Sequence, residues 1–167
     1  MCAPTKTQHT HYELRKGMIT MKIKYVSEKI GKEIPAPFYA SEGAAGMDLS
    51  ACIDSPVTIK ARGREIIPTG IAIALPSNEY VALVYVRSSI GFKKGITLSN
   101  SVGVIDSDYR GQIFVSLTNN SDEDYTIQVG ERIAQLIVTP VVIPQIEVVD
   151  ELPSTDRGEG GFGSTGK

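Results

Sequence analysis

Short runs of alternating apolar and polar residues recur along this chain. Met21-Lys22-Ile23-Lys24-Tyr25-Val26 sets the pattern. A period of two turns one face of an extended segment toward a core and the other toward water. Runs rich in Val, Ile and Tyr predict further strands at residues 57–60, 65–67, 70–75, 80–86, 111–118, 125–129, 132–138 and 145–149. Gly, Pro, Asn, Asp and Ser separate them, and Ser121-Asp122-Glu123-Asp124 reads as a hairpin tip. Gly130-Glu131-Arg132-Ile133-Ala134-Gln135 opens like a helix, but Thr139 and Pro140 follow too soon for one. The gaps are too tight for crossover helices. The expected fold is all-β, a jelly roll or β-sandwich with a C-terminal strand.

A chain of 167 residues fits one domain. Residues 1–20 are expected to be a disordered extension, residues 21–149 the β domain, and residues 150–167 a flexible glycine-rich arm. Asp150-Glu151-Leu152-Pro153-Ser154-Thr155-Asp156 has little to bury. Such an arm closes over its own site or reaches a neighbouring subunit, and the residues alone choose neither. It leads into Arg157-Gly158-Glu159-Gly160-Gly161-Phe162-Gly163-Ser164-Thr165-Gly166-Lys167. Glycines admit close backbone approach, amides and hydroxyls hold phosphate, and Phe162 offers a flat apolar face. The same composition also suits a frayed tail. Residues 161–167 match most of a Walker phosphate loop, but that loop needs a strand before it and a helix after it, and neither is expected here.

Charge narrows the function. Lys and Arg number 17 against 19 Asp and Glu, a formal net charge of -2. That balance lacks the basic footprint of a nucleic-acid binder, so a charged substrate needs a local site. No apolar run is long enough for a membrane span, and residues 1–17 hold no signal-peptide core. Cys2 and Cys52 make no disulfide framework, which fits free thiols in a reducing, cytoplasmic setting. His9 and His11 both fall in the extension, so the body offers no His and Cys set for zinc. Oxygen chemistry remains, and magnesium carried on substrate phosphates and waters suits it.

Polar residues that a sandwich does not need mark the candidates for chemistry. Asp106-Ser107-Asp108-Tyr109-Arg110-Gly111 gathers two carboxylates, a phenol and a guanidinium. A carboxylate there can orient a water for attack, and a ring can pack on a sugar. The same residues also make an ordinary turn. Arg87-Ser88-Ser89 follows an apolar run and offers a fork of donors and hydroxyls for phosphate, with Lys93 and Lys94 close behind. It equally suits the wet, basic end of a strand. Gln135 and Asp48 are polar in apolar surroundings, which means an outward face or a specific partner. Asn100 carries the paired donor and acceptor that read a base edge.

Together these segments resemble the trimeric deoxyuridine triphosphatase (dUTPase) family over residues 21–167. Ala45-Gly46-Met47-Asp48-Leu49 is similar to its first motif and Arg87-Ser88-Ser89-Ile90-Gly91 to its second. Residues 100–111 resemble the third, residues 130–136 the fourth and residues 157–166 the fifth, in the family's order. The resemblance implies a dUTPase-like β-clip, a homotrimer that uses Mg2+, and hydrolysis of dUTP to dUMP and pyrophosphate. That activity limits uracil incorporation into DNA and supplies dUMP for dTMP synthesis. The resemblance further implies that Asp106 activates the water attacking the α-phosphorus and that Tyr109 lies beneath the deoxyribose. Asn100 and the backbone of Gln112, Ile113 and Phe114 would read uracil. Arg87, Ser88, Gln135 and Arg157, with Ser164 and Thr165 in the tail, would hold the phosphates, and Ser89, Gly103 and Gly163 would also line the substrate site. Phe162 would stack on uracil in an arm closing a neighbour's site, and Asp48 would reach the magnesium only indirectly.

The second motif departs from the family's Pro-Arg-Ser-Gly. Val86 stands for the Pro and Ser89 for the Gly, and Ser89 restricts the backbone unless its φ is negative. Arg-Ser-Ser also resembles the related dCTP deaminases, so a dCTP deaminase or a bifunctional enzyme of the same fold is an alternative. Gly111-Gln112-Ile113-Phe114-Val115-Ser116-Leu117 holds no Glu to shuttle protons at a base, which favours dUTP hydrolysis. A non-catalytic nucleotide-binding or structural trimer is a second alternative, and both Asp106 and the tail argue against it.

Overall fold

The computed structural model describes residues 19–161. In chain order these form β1 (Lys22–Tyr25), β2 (Phe38–Tyr39), β3 (Met47–Ser50), β4 (Val57–Ile59), β5 (Arg64–Pro68), β6 (Ile71–Ala74) and β7 (Tyr80–Val86). A short helix α1 (Ser88–Lys94) follows, then β8 (Ile96–Leu98), β9 (Gly103–Ile105), β10 (Phe114–Asn119), β11 (Tyr125–Ile127) and β12 (Arg132–Pro140). The largest sheet runs β2-β3-β12-β7-β9, the second β5-β10-β8, and β1-β6 and β11-β4 form two-stranded ribbons. Side chains alternate between the faces as the period of two demands. In β10, Val115, Leu117 and Asn119 are buried and Phe114, Ser116 and Thr118 point outward. Leu49, Ile59, Ile71, Leu117, Ile127, Ile133 and Leu136 fill the space between the sheets. This is the all-β jelly-roll sandwich expected from the sequence. Among the described residues, no helix is long and apolar enough to cross a membrane.

Three local expectations change. The C-terminal strand at residues 145–149 does not form within the chain. Beyond β12 the chain leaves the sheet after one bond, Val141 N–H to Glu79 O at 2.8 Å. Extended residues become a strand only against a neighbouring edge, and Ile146 and Val148 stand 86% and 93% exposed instead. The turn at residues 121–124 is not a hairpin tip, because β10 pairs with β5 and β8 while β11 pairs with β4. It carries the chain between sheets. The expected strand end after Val86 is the helix α1, closed by Gly95 in the left-handed region at φ 67°. The expected extension lies outside the described residues except for Ile19 and Thr20.

One buried amide fixes the sheet-crossing turn. Asn119 is fully buried, and its Nδ2 donates to Ile59 O at 3.2 Å and Glu123 O at 2.7 Å. Its Oδ1 accepts from the backbone N–H and the hydroxyl of Ser121, at 3.0 and 2.8 Å. Exposed ion pairs, Lys60 with Asp124 and Arg62 with Asp122, add little in water. Removing the amide takes a donor from the buried carbonyl of Ile59 and the acceptor from Ser121, and a buried polar group is costly to leave unpaired. Asn119→Ala is therefore expected to lower the unfolding free energy by about 2–3 kcal/mol. Urea melts at fixed protein concentration check this, and a loss below about 0.5 kcal/mol, the usual range of a surface change, would contradict it.

Candidate active site

The large sheet carries a row of side chains across four strands. Register places Phe38 opposite Asp48, Asp48 opposite Gln135, and Gln135 opposite Tyr85. Directly opposed residues share a face, so β2, β3, β12 and β7 each contribute one member. Asp48 is 5% exposed, deep enough that its charge requires partners. It has two. Arg87 Nε lies 2.9 Å from Oδ1, and Arg132 donates from a terminal nitrogen to Oδ2, also at 2.9 Å. The Arg132 guanidinium lies 5.9 Å from the centre of the Phe38 ring, within cation–π range. Gly46 makes room for the row, since a Cβ there would fall 2.9 Å from Oε1 of Gln135.

Arg87 is the residue before α1, in extended conformation at φ -73° and ψ 140°. Ser88 and Ser89 begin the helix and are exposed. Neither has a positive φ, so Ser in place of the family's Gly carries no backbone strain. Val86 pairs with Ala134 as an ordinary strand residue, which explains why a Pro is not required there. The terminal nitrogens of Arg87 make no hydrogen bond among the described residues.

A second cluster surrounds β9 and the start of β10. A cleft of about 270 Å³ is lined by Val104, Ile105, Asp106, Tyr109, Gln112, Ile113 and Phe114. It adjoins a smaller cavity of about 130 Å³ that Asn100, Gly103, Phe114 and Ser116 help to line. Asp106 is exposed and opens a tight turn, with Tyr109 N–H donating to its carbonyl at 3.2 Å. Arg110 clamps that turn by donating to Ser107 O and Tyr109 O at 2.7 and 2.9 Å. Tyr109 folds back over Gly111 and donates its hydroxyl to Gln112 O at 3.0 Å. A Cβ on Gly111 would come within 2.6 Å of the ring carbon that bears the hydroxyl, so only glycine admits this pose.

The backbone of residues 112–114 divides in its hydrogen bonding. Ile113 is buried, its N–H bonded to Ile71 O and its carbonyl to Thr69. It is a wall of the cleft and has no backbone group left for a base. Backbone polar groups alternate sides along an antiparallel strand. Ser116 O accepts from Ser99 on the β8 side, so Phe114, two residues earlier, also turns its N–H and C=O that way. There β8 has ended and the cavity beside Asn100 begins.

The two clusters stand apart. Strands β7 and β9 are antiparallel, with Ala82 facing Ile105 and Val84 facing Gly103. Arg87 is therefore five residue steps along β7 from the position facing Ile105, roughly 16 Å at the rise of a strand. Asp106 lies one step further away. Arg157 lies outside both clusters and closes on its own segment, Nε donating to Gly160 O at 2.8 Å. Phe162, Gly163, Ser164 and Thr165 lie outside the described residues. Sequence reasoning missed Arg132 and Phe38. An arginine opening an apolar strand was the available signal, but nothing in the sequence gives its partner.

Known proteins share this fold and sequence. The dUTPase family model matches residues 32–166. A deoxyuridine 5'-triphosphate nucleotidohydrolase of Idiomarina loihiensis is 48% identical over 150 residues, covering 90% of this chain and 99% of the relative. That of Hahella chejuensis is 49% identical over 144 residues, covering 86% and 95%. The Staphylococcus bacteriophage 80alpha dUTPase with dUpNHpp superposes with a TM-score of 0.76 at 27% identity, covering 89% of this chain and 99% of that one. A dUTPase from phage phi11 of S. aureus, for which coordination of a structural Mg(II) ion is described, shares the fold with a TM-score of 0.69 at 22% identity, covering 81% and 99%. With its family model spanning most of the sequence and relatives matched along nearly their whole length, the chain belongs to the dUTPase family.

Proposed function

We propose that this chain hydrolyses dUTP to dUMP and pyrophosphate at sites assembled between copies of itself in a homotrimer. The observation that carries the reaction is the carboxylate of Asp106 at a cleft that also presents the Tyr109 ring and the outward backbone groups of Phe114. An ionised carboxylate holds a water and accepts its proton as the water oxygen bonds to the α-phosphorus. The bond from that phosphorus to the α,β-bridging oxygen then breaks, and pyrophosphate leaves. Tyr109, 43% exposed, offers one face to the deoxyribose, where a ribose 2'-hydroxyl meets the ring. Asn100 and the backbone of Phe114 pair with the uracil edge, while Gly103 and Ile113 shape its walls. A base with the wrong donor pattern leaves these groups unpaired.

Arg87, Ser88, Ser89 and Gln135 receive the phosphates. Donors preset around a leaving group stabilise the charge that develops there. The separation of Arg87 from Asp106 on one sheet is why a second copy is needed. The exposed apolar residues of the arm, Val142, Ile146, Val148 and Leu152, support the same reading, since a neighbour can cover them. The arm then brings Arg157, Phe162, Gly163, Ser164 and Thr165 to another subunit's site, closing it against water.

Magnesium fits this inventory as a passenger of the substrate. Among the described residues no cluster of three His, Cys, Asp or Glu side chains could hold a metal ion. Both oxygens of Asp48 already face guanidinium groups. Mg2+ would be carried on the phosphates and their waters in this reading, and would supply charge neutralisation there. The cytoplasm, where the nucleotide pool lies, is the compartment this reading requires.

Purified protein given dUTP is expected to release pyrophosphate without ammonia, and Asp106→Asn is expected to lose at least ~100-fold in kcat with KM little changed. Pyrophosphate release by the variant near the wild-type rate would remove Asp106 from this role, and ammonia from dCTP would point to a deaminase. Gly111→Ala is expected to displace Tyr109 and to lower the preference for dUTP over UTP about tenfold in kcat/KM. An unchanged ratio would show that the ring does not exclude ribose.

A further inference from the structure

We infer that Arg132 is a positioning residue that keeps Arg87 available to the substrate by sharing the carboxylate of Asp48 with it. The inference rests on the reading of Arg87 as a phosphate ligand. It starts from the register of β12. Arg132 faces Ser50 and Ala134 faces Leu49, so one extra residue, Ile133, is inserted between them. In an unbroken strand, Arg132 and Gln135 would point to opposite faces, being three residues apart. A bulge inserts one residue and reverses the alternation beyond it. Ile133 thereby turns into the core, where it is fully buried, and Arg132 turns onto the face of Asp48 and Gln135.

What the bulge achieves there is a distribution of charge. Arg87 alone against Asp48 would be a neutral pair, and a neutral pair has little pull on a triphosphate. Arg132 as a second guanidinium leaves the cluster with one net positive charge. The geometry also divides the carboxylate, with Oδ1 going to Nε of Arg87 and Oδ2 to Arg132. Neither arginine grips both oxygens. With Oδ2 vacant, Arg87 could close on the carboxylate as a two-pronged fork, the strongest arrangement open to that pair. Its terminal N–H groups would then be drawn from the substrate. Phe38 holds the other side of Arg132, its ring 5.9 Å from the guanidinium carbon, and so restrains Arg132 over Asp48.

The test uses the full-length enzyme and four variants. Arg132→Met retains the apolar stem and leaves Asp48 paired with Arg87, so the carboxylate is not orphaned. It is expected to raise KM for dUTP at least tenfold, with a smaller change in kcat. Arg132→Lys restores a charge and a donor at Oδ2, and is expected to return KM to within about threefold of wild type. In an Arg87→Lys background, which keeps a cation beside Asp48 but cannot close on it as a fork, Arg132→Met is expected to have a clearly smaller effect, because its influence passes through the Arg87 guanidinium. An unchanged KM in Arg132→Met, or equal effects in both backgrounds, would overturn the inference. So would a lowered melting temperature with the KM of wild type, which marks a purely structural residue. Absence of dUTP turnover by the wild-type enzyme would instead defeat the proposed function itself.

Discussion

Antiparallel pairing of β7 with β9 sets how far apart the two clusters of candidate residues in the β domain stand. It places Gly103 beside Val84 and Ile105 beside Ala82, so the turn that carries Asp106 emerges at one end of the pair. Arg87 emerges at the other. Main-chain ladders do not stretch, and the buried side chains of Ala82 and Val84 lock the register against the core. On the proposed reading, in which Asp106 activates the water and Arg87 holds phosphate, groups held so far apart call for a second copy of the chain, and the exposed apolar arm beyond Pro140 is what such a copy would cover.

The sheet face that carries Asp48 shows how a buried charge is accommodated. Asp48 would be costly in so enclosed a place without partners. With two arginines it becomes an anchor that orients both and leaves surplus positive charge. Small residues make this possible at close range. Gly46 admits the Gln135 amide, and Gly111 admits the folded Tyr109 ring. Each site thus depends on a missing Cβ as much as on the polar group beside it.

Much of this was legible in the sequence because it obeys a period of two. The strands β1, β4, β5, β6, β7, β11 and β12 were foreseen from alternation and turn residues, and β10 was foreseen with an early start. The strands β2, β3, β8 and β9 were not, although β4 and β11 are just as short, because their residues lie among the glycines and polar groups that read as loops. Residues 145–149 carry a strand pattern but find no edge within their own chain, and periodicity cannot supply a partner. Helix α1 hid behind Ser-Ser and a glycine because it is only seven residues long. The candidate residues Asp48, Arg87, Asp106, Tyr109 and Gln135 were legible as polar interruptions. Arg132 was not, because its face is decided by a bulge, and a bulge is a property of two strands and not of one.

The central claim is that each site draws Asp106 and Arg87 from different copies of the chain, and mixing subunits tests it directly. Asp106→Asn and Arg87→Gln chains, each nearly inactive alone, are refolded together in equal amounts and shown by mass to form hybrid trimers. The account predicts that activity reappears at about a quarter of the wild-type level, since independent positions in a closed ring give one site in four both intact groups. Activity that stays at the level of the separate variants, in mixtures proven to contain hybrids, would place both residues of each site in the same chain and contradict the account.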